Sequence, residues 1–566
     1  MEIWLVYRIL RKISDWTLVA FYSEVYVNPG RQNVPKDAPV IITSSHHNEV
    51  IDVATLAATM PHRHKISFWA KSTTFSHPVL GPILSSSGAI PVRRNPNKAD
   101  SGAANNSLFD ASTAALARNQ VIGVFPEGTS YTEPSVAQIL SGAAWAALEF
   151  LRSQHASKSE GKVNSAVIIP VGIVYTNKSK FRSRVHVEYG SPIDMASYMP
   201  SSMFDTLDAE AERLLVKAVM EDVEEQLRKM TINAPDWDTL YAAQMTRDIL
   251  WGDERQVKLK DWVVVGQTLV QLLSPPPSSD DVEVVKLKRA LTKYFSLLHY
   301  TNISNAHLAF LLPDTNTLPT RLFFLRFTLA VLRTGLNPSF LLFLPSLIAH
   351  IPAYLFAGLA SRYLAPPGEE ESQAQFKAIL GGIGVGLGTG TTAYWLTKLA
   401  AASKSLLLSN GGIRSKLFLW FFTAWILVKW HRILVDRNYT RYNTFSLLNI
   451  SHLNSLFRFQ RLSAAWKVLL GLLQPQSWNF SAAQLAPYEI PPIPAANPFI
   501  KRNEGSKVLD GRAWLKAQPR RVPSRSLIIP LLLARRAAVS ELASYFRGKR
   551  SEEQILKELG AVVPIC

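Results

Sequence analysis

The chain has 566 residues, enough for several domains, and its 61 Lys+Arg against 43 Asp+Glu leave a net charge of +18. That excess favours an anionic partner, whether a phosphorylated metabolite, a coenzyme, nucleic acid or an acidic lipid surface, without choosing among them. The single cysteine, Cys566, excludes an intrachain disulfide, argues against a cysteine nucleophile or a Cys-ligated zinc, and suits a reducing, cytosol-facing surface.

The first stretch, MEIWLVYRILRKISDWTLVAFY, is interrupted by Arg8, Arg11, Lys12 and Asp15 and does not read as a cleavable signal peptide. Those four residues fall at i, i+3, i+4 and i+7, one stripe of a helix. The pattern fits an amphipathic helix lying on a membrane and equally a helix packed on its own domain. From Val40 to Ile193, short β-branched runs alternate with helical patterns. Strands are expected at 40–44, 66–70, 121–125, 166–174 and 185–189, and helices after Asp52, at Ala103–Arg118 and at Ile139–Leu151. This alternation predicts an α/β fold, a mostly parallel sheet flanked by helices. The near-continuous apolar strands predict that both sheet faces are covered.

An appended helical region follows, with a charged amphipathic helix over Thr206–Leu227. Thr334–Ser361 and Ala378–Thr397 then contain no Asp, Glu, Lys or Arg, and each is long enough to span a bilayer. Pro345 and Pro352 should kink the first, and the glycines of LGGIGVGLGTG should let the second pack closely against a neighbour. A third stretch, Leu417–Val428, is bounded by Lys416 and Lys429 and reads as interfacial or bundled. The loop SRYLAPPGEEESQAQFK is acidic while the outer flanks are basic, so the charge bias predicts a transmembrane hairpin with both large parts in the cytosol. The tail is Pro-rich (APYEIPPIPAANPF), reading as an extended linker or strap, and then basic. The domains expected are a lead-in over 1–38, an α/β domain over 39–200, a helical region over 201–333, a membrane region over 334–435 and a C-terminal region over 436–566.

SSHHNEVID (Ser44–Asp52) follows the first predicted strand of the α/β alternation. A histidine and an aspartate so spaced can divide the work of a general base: the imidazole takes a hydroxyl proton while the carboxylate orients the ring and stabilises the imidazolium. Either His46 or His47 could be that base. Three further blocks come in order: GAIPVRR (Gly88–Arg94), VFPEGTS (Val124–Ser130), and a strand pair around a basic turn (Val167–Ile193). A glycine after a strand, here Gly128, lets backbone amides approach a phosphate or carbonyl oxygen, and Glu127 beside it can accept hydrogen bonds from substrate hydroxyls. Reading His46, His47, Glu49 and Asp52 as metal ligands fails on geometry, since adjacent histidines rarely reach one ion from a strand end. Neither a phosphate-cradling nor a dinucleotide glycine signature is present in strand–helix context, and no recognised nucleic-acid module accompanies the basic residues.

The four blocks, in this order and spacing over roughly Phe21–Ile193, resemble the glycerolipid acyltransferase superfamily. FRSRVHVEYGSPI and VYVNPGRQNVPKDAPVI are especially similar to its fungal glycerol-3-phosphate/dihydroxyacetone-phosphate branch. The resemblance implies acyl transfer from acyl-CoA to a phosphorylated glycerol acceptor, with no cofactor, at the cytosolic surface of an endoplasmic reticulum membrane. It favours His46 as the base, with His47 as the alternative and Asp52 as partner in either case. It implies acceptor binding at Arg94 and around Glu127-Gly128, with Pro170 shaping the acyl-CoA side. The third block departs from many relatives, carrying Glu133 and Leu140 where basic residues stand, so phosphate binding is expected to fall to other cations among Arg93, Arg94, Lys71, Arg182 and Arg184. Arg182 and Arg184, two apart, should face the same way if both lie in a strand. The sequon Asn177-Lys178-Ser179 lies in the domain expected to be cytosolic and should carry no glycan.

Overall fold

The computed structural model describes residues 3–93, 106–156, 165–198, 208–274, 282–312, 324–325, 327–329, 331–332, 338–402, 413–440, 455–475, 480–500 and 511–563. Its centre is an eight-stranded sheet: β1 (Glu24–Val27), β2 (Val40–Ser44), β3 (Ile66–Lys71), β4 (Ile90–Val92), β5 (Val121–Val124), β6 (Val167–Tyr175), β7 (Arg184–Tyr189) and β8 (Ile193–Asp194). The order is β1-β7-β6-β2-β5-β3-β4, with β8 also on β6. Every pairing is parallel except β6–β7 and β6–β8. The five expected strands are present; β1, β4 and β8 are too short to carry a periodic signal of their own.

Both faces of the sheet are covered, which explains the uninterrupted apolar strands. Val40 and Ile42 of β2 join Ile169, Val171 and Ile173 in a core with α1 (Ile3–Phe21) and α2 (Val50–Thr59). Ile41, on the other face, packs with Ile122, Ile168 and the alanine-rich helix Gly142–Ala156. The helix Ala209–Lys229 belongs to this second face: Val216, Val219, Met220, Val223 and Leu227, at helical spacing, join the same core. α1 packs on its own domain through one face. Tyr7, Leu18 and Phe21 are buried against the domain while Leu5, Ile9, Ile13 and Trp16 are exposed.

Helices between Trp237 and Leu311 share one core with Ser455–Leu472 and Ile528–Glu558, organised around buried Trp251, Trp262 and Tyr294. The helical region and the C-terminal region thus pack together although the apolar segments separate them in sequence. Between them run three long helices, α3 (Pro338–Tyr363), α4 (Gln373–Ala402) and α5 (Ile413–Thr440). Pro345 and Pro352 lie inside α3. The α4 glycines do permit close approach: a Cβ on Gly384 would lie 2.6 Å from Ala353 Cα and one on Gly388 2.2 Å from the Ala349 carbonyl.

Three expectations for this region are corrected. Among the described residues, the helices long and apolar enough to cross a membrane are Leu342–Tyr363 and Ile413–Val435. The second expected span, 378–397, is not one of them, because its glycines and threonines dilute its hydropathy. The third stretch is not closed by Lys416 and Lys429, since α5 runs through both. The acidic loop between α3 and α4 also does not lie across a bilayer from the α/β domain, because it is docked on it: Thr132 Oγ1 donates to Glu371 Oε2 at 2.7 Å and Lys377 Nζ to the Ser179 carbonyl at 2.7 Å. Charge bias alone could not reveal that these glutamates are used in tertiary contacts.

Candidate active site

β2, β3, β4, β5 and β6 are mutually parallel, so their C-terminal ends share one edge of the sheet. That edge carries SSHHNEVID after β2, FPEG after β5, Lys71 at the end of β3, Arg93 just past β4 and the turn after Tyr175 of β6.

His46 is 9 % exposed and Asp52 fully buried. His46 Nδ1 lies 2.9 Å from Asp52 Oδ2, and the Asn48 backbone N–H donates to the same oxygen at 2.7 Å. The Tyr175 hydroxyl donates to Oδ1 at 2.5 Å. Asp52 also stands in the first turn of α2, where the helix dipole favours an anion. These donors satisfy both oxygens of the buried carboxylate. With Nδ1–H donated to it, the ring keeps its Nε2 lone pair available as a base. The ring stacks on Phe125, with centroids 4.0 Å apart, which fixes its plane.

His47 makes no bond to Asp52. It sits edge-on to Tyr131, and burial, reinforced by the Lys178 charge, pushes its imidazole down to about 3. The two histidines therefore part: one is held by an acid, the other held neutral.

Glu127 is fully buried beside them. The His46 backbone N–H donates to its Oε1 at 2.6 Å, and Oε2 has no partner among the described residues. Burial pushes this carboxyl up to about 8, so near neutral pH it can exist as an acid with a proton to donate. Gly128 has φ +76, the left-handed region that the sharp turn requires. The turn is braced by Gln138, whose amide donates to the Glu127 carbonyl at 2.8 Å and to the Phe499 carbonyl at 3.1 Å.

The other expected residues divide. Lys71 and Arg93 are exposed on the same sheet edge, one and two strands beyond FPEG. Arg94 lies outside the described residues. Arg182 and Arg184 do not form a phosphate clamp. Arg182 precedes β7 in a left-handed conformation, φ +64, so strand alternation does not apply to it. Its guanidinium donates to the Tyr22 carbonyl at 3.0 Å, and that of Arg184 to the carbonyls of Val257 and Glu254. Both are buried structural donors. Pro170 is buried within β6 and pairs with Thr43, one residue before the end of β2.

Sequence reasoning missed Tyr175 and Asn48, although both lie inside recognised blocks. It also missed the contributions from distant chain. Gln375 donates to Glu49 Oε2 and Ser179 to Glu370 Oε1, bringing the acidic loop to the edge of the site. The Pro-rich strap crosses the same edge, where Asn497 donates to the Ser130 carbonyl at 3.0 Å. Nothing local in sequence announces these contacts. Burial, with Glu371 and Glu369 nearby, pushes Glu49 up to about 7.

Residues 27–174 match the family model described as Acyltransferase. The chain is 26% identical over 273 residues to glycerol-3-phosphate O-acyltransferase 2 of Saccharomyces cerevisiae, covering 48% of this chain and 34% of that protein. It is 26% identical over 265 residues to glycerol-3-phosphate O-acyltransferase 1 of the same yeast, covering 46% and 32%. An uncharacterized acyltransferase of Schizosaccharomyces pombe matches at 26% over 234 residues, 41% of this chain and 33% of that protein. The chain thus spans about a third of the length of these curated relatives. Among solved structures, the 1-acyl-sn-glycerophosphate acyltransferase PlsC of Thermotoga maritima aligns with 39% of this chain and 78% of that one, at 16% identity and a TM-score of 0.26.

Proposed function

From the premise that residues 27–174 form an acyltransferase-family domain, we propose that the protein transfers an acyl group from acyl-CoA to a hydroxyl of glycerol 3-phosphate or dihydroxyacetone phosphate. The observation that carries this reading is the His46–Asp52 pair, 2.9 Å apart, placed beside buried Glu127. His46 Nε2 removes the hydroxyl proton of the acceptor as its oxygen attacks the thioester carbonyl. Asp52 stabilises the imidazolium that results. The tetrahedral intermediate then expels CoA as a thiolate, which takes the proton back from His46, so the cycle closes without a cofactor.

The yeast proteins named glycerol-3-phosphate O-acyltransferase support the acceptor, and the two helices able to cross a bilayer support a membrane location, which we place at the endoplasmic reticulum with the α/β domain in the cytosol. The test is incubation of the full chain with labelled acyl-CoA and each acceptor separately. A 1-acyl product from glycerol 3-phosphate or dihydroxyacetone phosphate is expected. Product only from 1-acylglycerol 3-phosphate would reassign the acceptor, and acyl-CoA binding without product from any of the three would make the protein a non-catalytic scaffold.

A further inference from the structure

Lys178 stands half-buried in the turn after β6, one of four cations between 178 and 184 that look alike in sequence. Their partners separate it. Lys180 pairs with Glu254 at 3.1 Å, Arg184 with Glu24 and two backbone carbonyls, and Arg182 with carbonyls near the end of α1. Lys178 alone in this group reaches the stretch that continues the third block, where its Nζ donates to the Tyr131 carbonyl and to Thr132 Oγ1, each at 3.3 Å. Both bonds are long for an ammonium, whose charge-assisted bonds usually fall near 2.8 Å. Lys178 has no ion pair among the described residues, although Glu127, Glu370 and Glu371 all lie in its neighbourhood.

Its position relative to the catalytic pair is set by the backbone. The Lys178 carbonyl accepts from Asn48 Nδ2 at 3.2 Å, while the Asn48 N–H holds Asp52. Its charge is felt by both His47 and Glu127. The end of the third block and the stretch that continues it, Thr129–Leu140, contain no Lys or Arg. A phosphorylated acceptor brought to His46 therefore meets Asp52 and the acidic Glu369–Glu371 loop, beside a Glu49 and a Glu127 that burial leaves readily protonated, an edge that offers a dianion no positive charge unless a cation answers it. A half-buried ammonium held loosely by two neutral oxygens can exchange them for phosphate oxygens at little cost.

We propose that Lys178 binds the phosphate of the acyl acceptor, seating the acceptor between the β6 turn and the FPEG loop with its hydroxyl toward His46. This deepens the proposed function and rests on it. The experiment uses the full chain in native membranes or detergent and combines initial rates with equilibrium binding of glycerol 3-phosphate. Lys178→Met is expected to raise the KM for glycerol 3-phosphate about ten- to hundredfold and to weaken its binding in parallel. The KM for acyl-CoA and the melting temperature should stay near the parent values. Lys178→Arg, which keeps the charge, should recover part of the loss. An unchanged acceptor KM in Lys178→Met overturns the proposal, as does a shift confined to the KM for acyl-CoA, which would place Lys178 on the phosphates of CoA. If Lys178→Met loses stability, Lys178→Arg decides, since its acceptor KM must then lie above the parent's with binding weakened to match. A parent protein that binds glycerol 3-phosphate through Lys178 without acylating it would refute the enzymatic reading and leave this one standing.

Discussion

Asp52→Asn tests the catalytic pair because the surrounding bonds dictate how the new amide must sit. Oδ2 of Asp52 accepts from His46 Nδ1 at 2.9 Å and from the Asn48 N–H at 2.7 Å, whereas Oδ1 accepts only from the Tyr175 hydroxyl. An amide nitrogen on the Oδ2 side would face two donors. On the Oδ1 side it faces a hydroxyl that can rotate and accept. The asparagine oxygen should therefore stay toward His46 and preserve the reactive tautomer, so the variant removes charge without misorienting the ring. With the charges about 4 Å apart and an effective dielectric near 20, the ionic contribution to the imidazolium is about 4 kcal/mol, of which a neutral amide retains roughly half. The expected loss is about 2–4 kcal/mol of transition-state stabilisation, or roughly 30- to 1000-fold in kcat, with both KM values close to the parent's. Steady-state kinetics with labelled acyl-CoA measures it directly. Activity within threefold of the parent would show that Asp52 does not support the base, and a loss near 10⁵-fold would show that the tautomer argument is wrong.

Other outcomes follow from the same geometry. His46→Ala should lose about 10²–10⁴ in rate while His47→Ala keeps most of it, because only His46 is bonded to Asp52; the reverse ranking in a side-by-side rate assay would move the base. Tyr175→Phe leaves one oxygen of a buried carboxylate unsatisfied and should lower kcat about 10- to 100-fold without raising either KM, and an unchanged kcat would make the phenol a packing group only. Glu49 is pushed up to about 7, first by burial and then by Glu371 and Glu369. The folded state therefore holds a proton that the unfolded chain has released, and Glu49 costs stability progressively as pH rises from about 4.5 to about 7. Glu49→Gln removes that cost, so its gain in melting temperature should be larger at pH 8 than at pH 5, and an equal gain at both would contradict the sign.

The α/β core was legible because its determinants are local. Val40–Ser44, Val121–Val124 and Val167–Tyr175 are β-branched runs buried on both faces, and the chemistry-bearing blocks follow directly from their ends. Spacing alone leaves His46 and His47 both open and the preference for His46 comes from the resemblance; in the structure it is His46 whose ring meets Asp52. The failures share the opposite character. Arg182 and Arg184 look like a basic clamp two residues apart, but a left-handed backbone at Arg182 breaks the alternation and carbonyls from α1 and from 254–257 take up the guanidinium donors. Tyr175 looks like one more apolar strand residue until its hydroxyl meets an acid 123 positions away. Partners separated by such distances leave no periodicity to read.

The acidic loop shows how far this reaches into function. Three consecutive glutamates between apolar segments invite a topological reading, since exposed acids usually mark a loop that is only solvated. Here the loop is anchored at Thr132 and Ser179, and α4 begins by passing Gln375 to Glu49 and burying Ala374 in the core of the α/β domain. Glu49 is itself a non-glycine residue at φ +43, a backbone strain located between His46 and Asp52. Such strain persists only where surroundings over-determine it, and two of its restraints are the Gln375 side chain and Ser130 Oγ, which accepts the Glu49 N–H at 3.2 Å. Ser130 in turn offers its carbonyl to Asn497 of the Pro-rich strap. The residues that match the acyltransferase model end at 174, yet the geometry of their central motif is held from 375 and, through Ser130, from 497. The SSHHNEVID loop, the start of α4 and the C-terminal strap are therefore joined by side-chain hydrogen bonds that converge on Glu49 and Ser130, and Glu49 lies between His46 and Asp52.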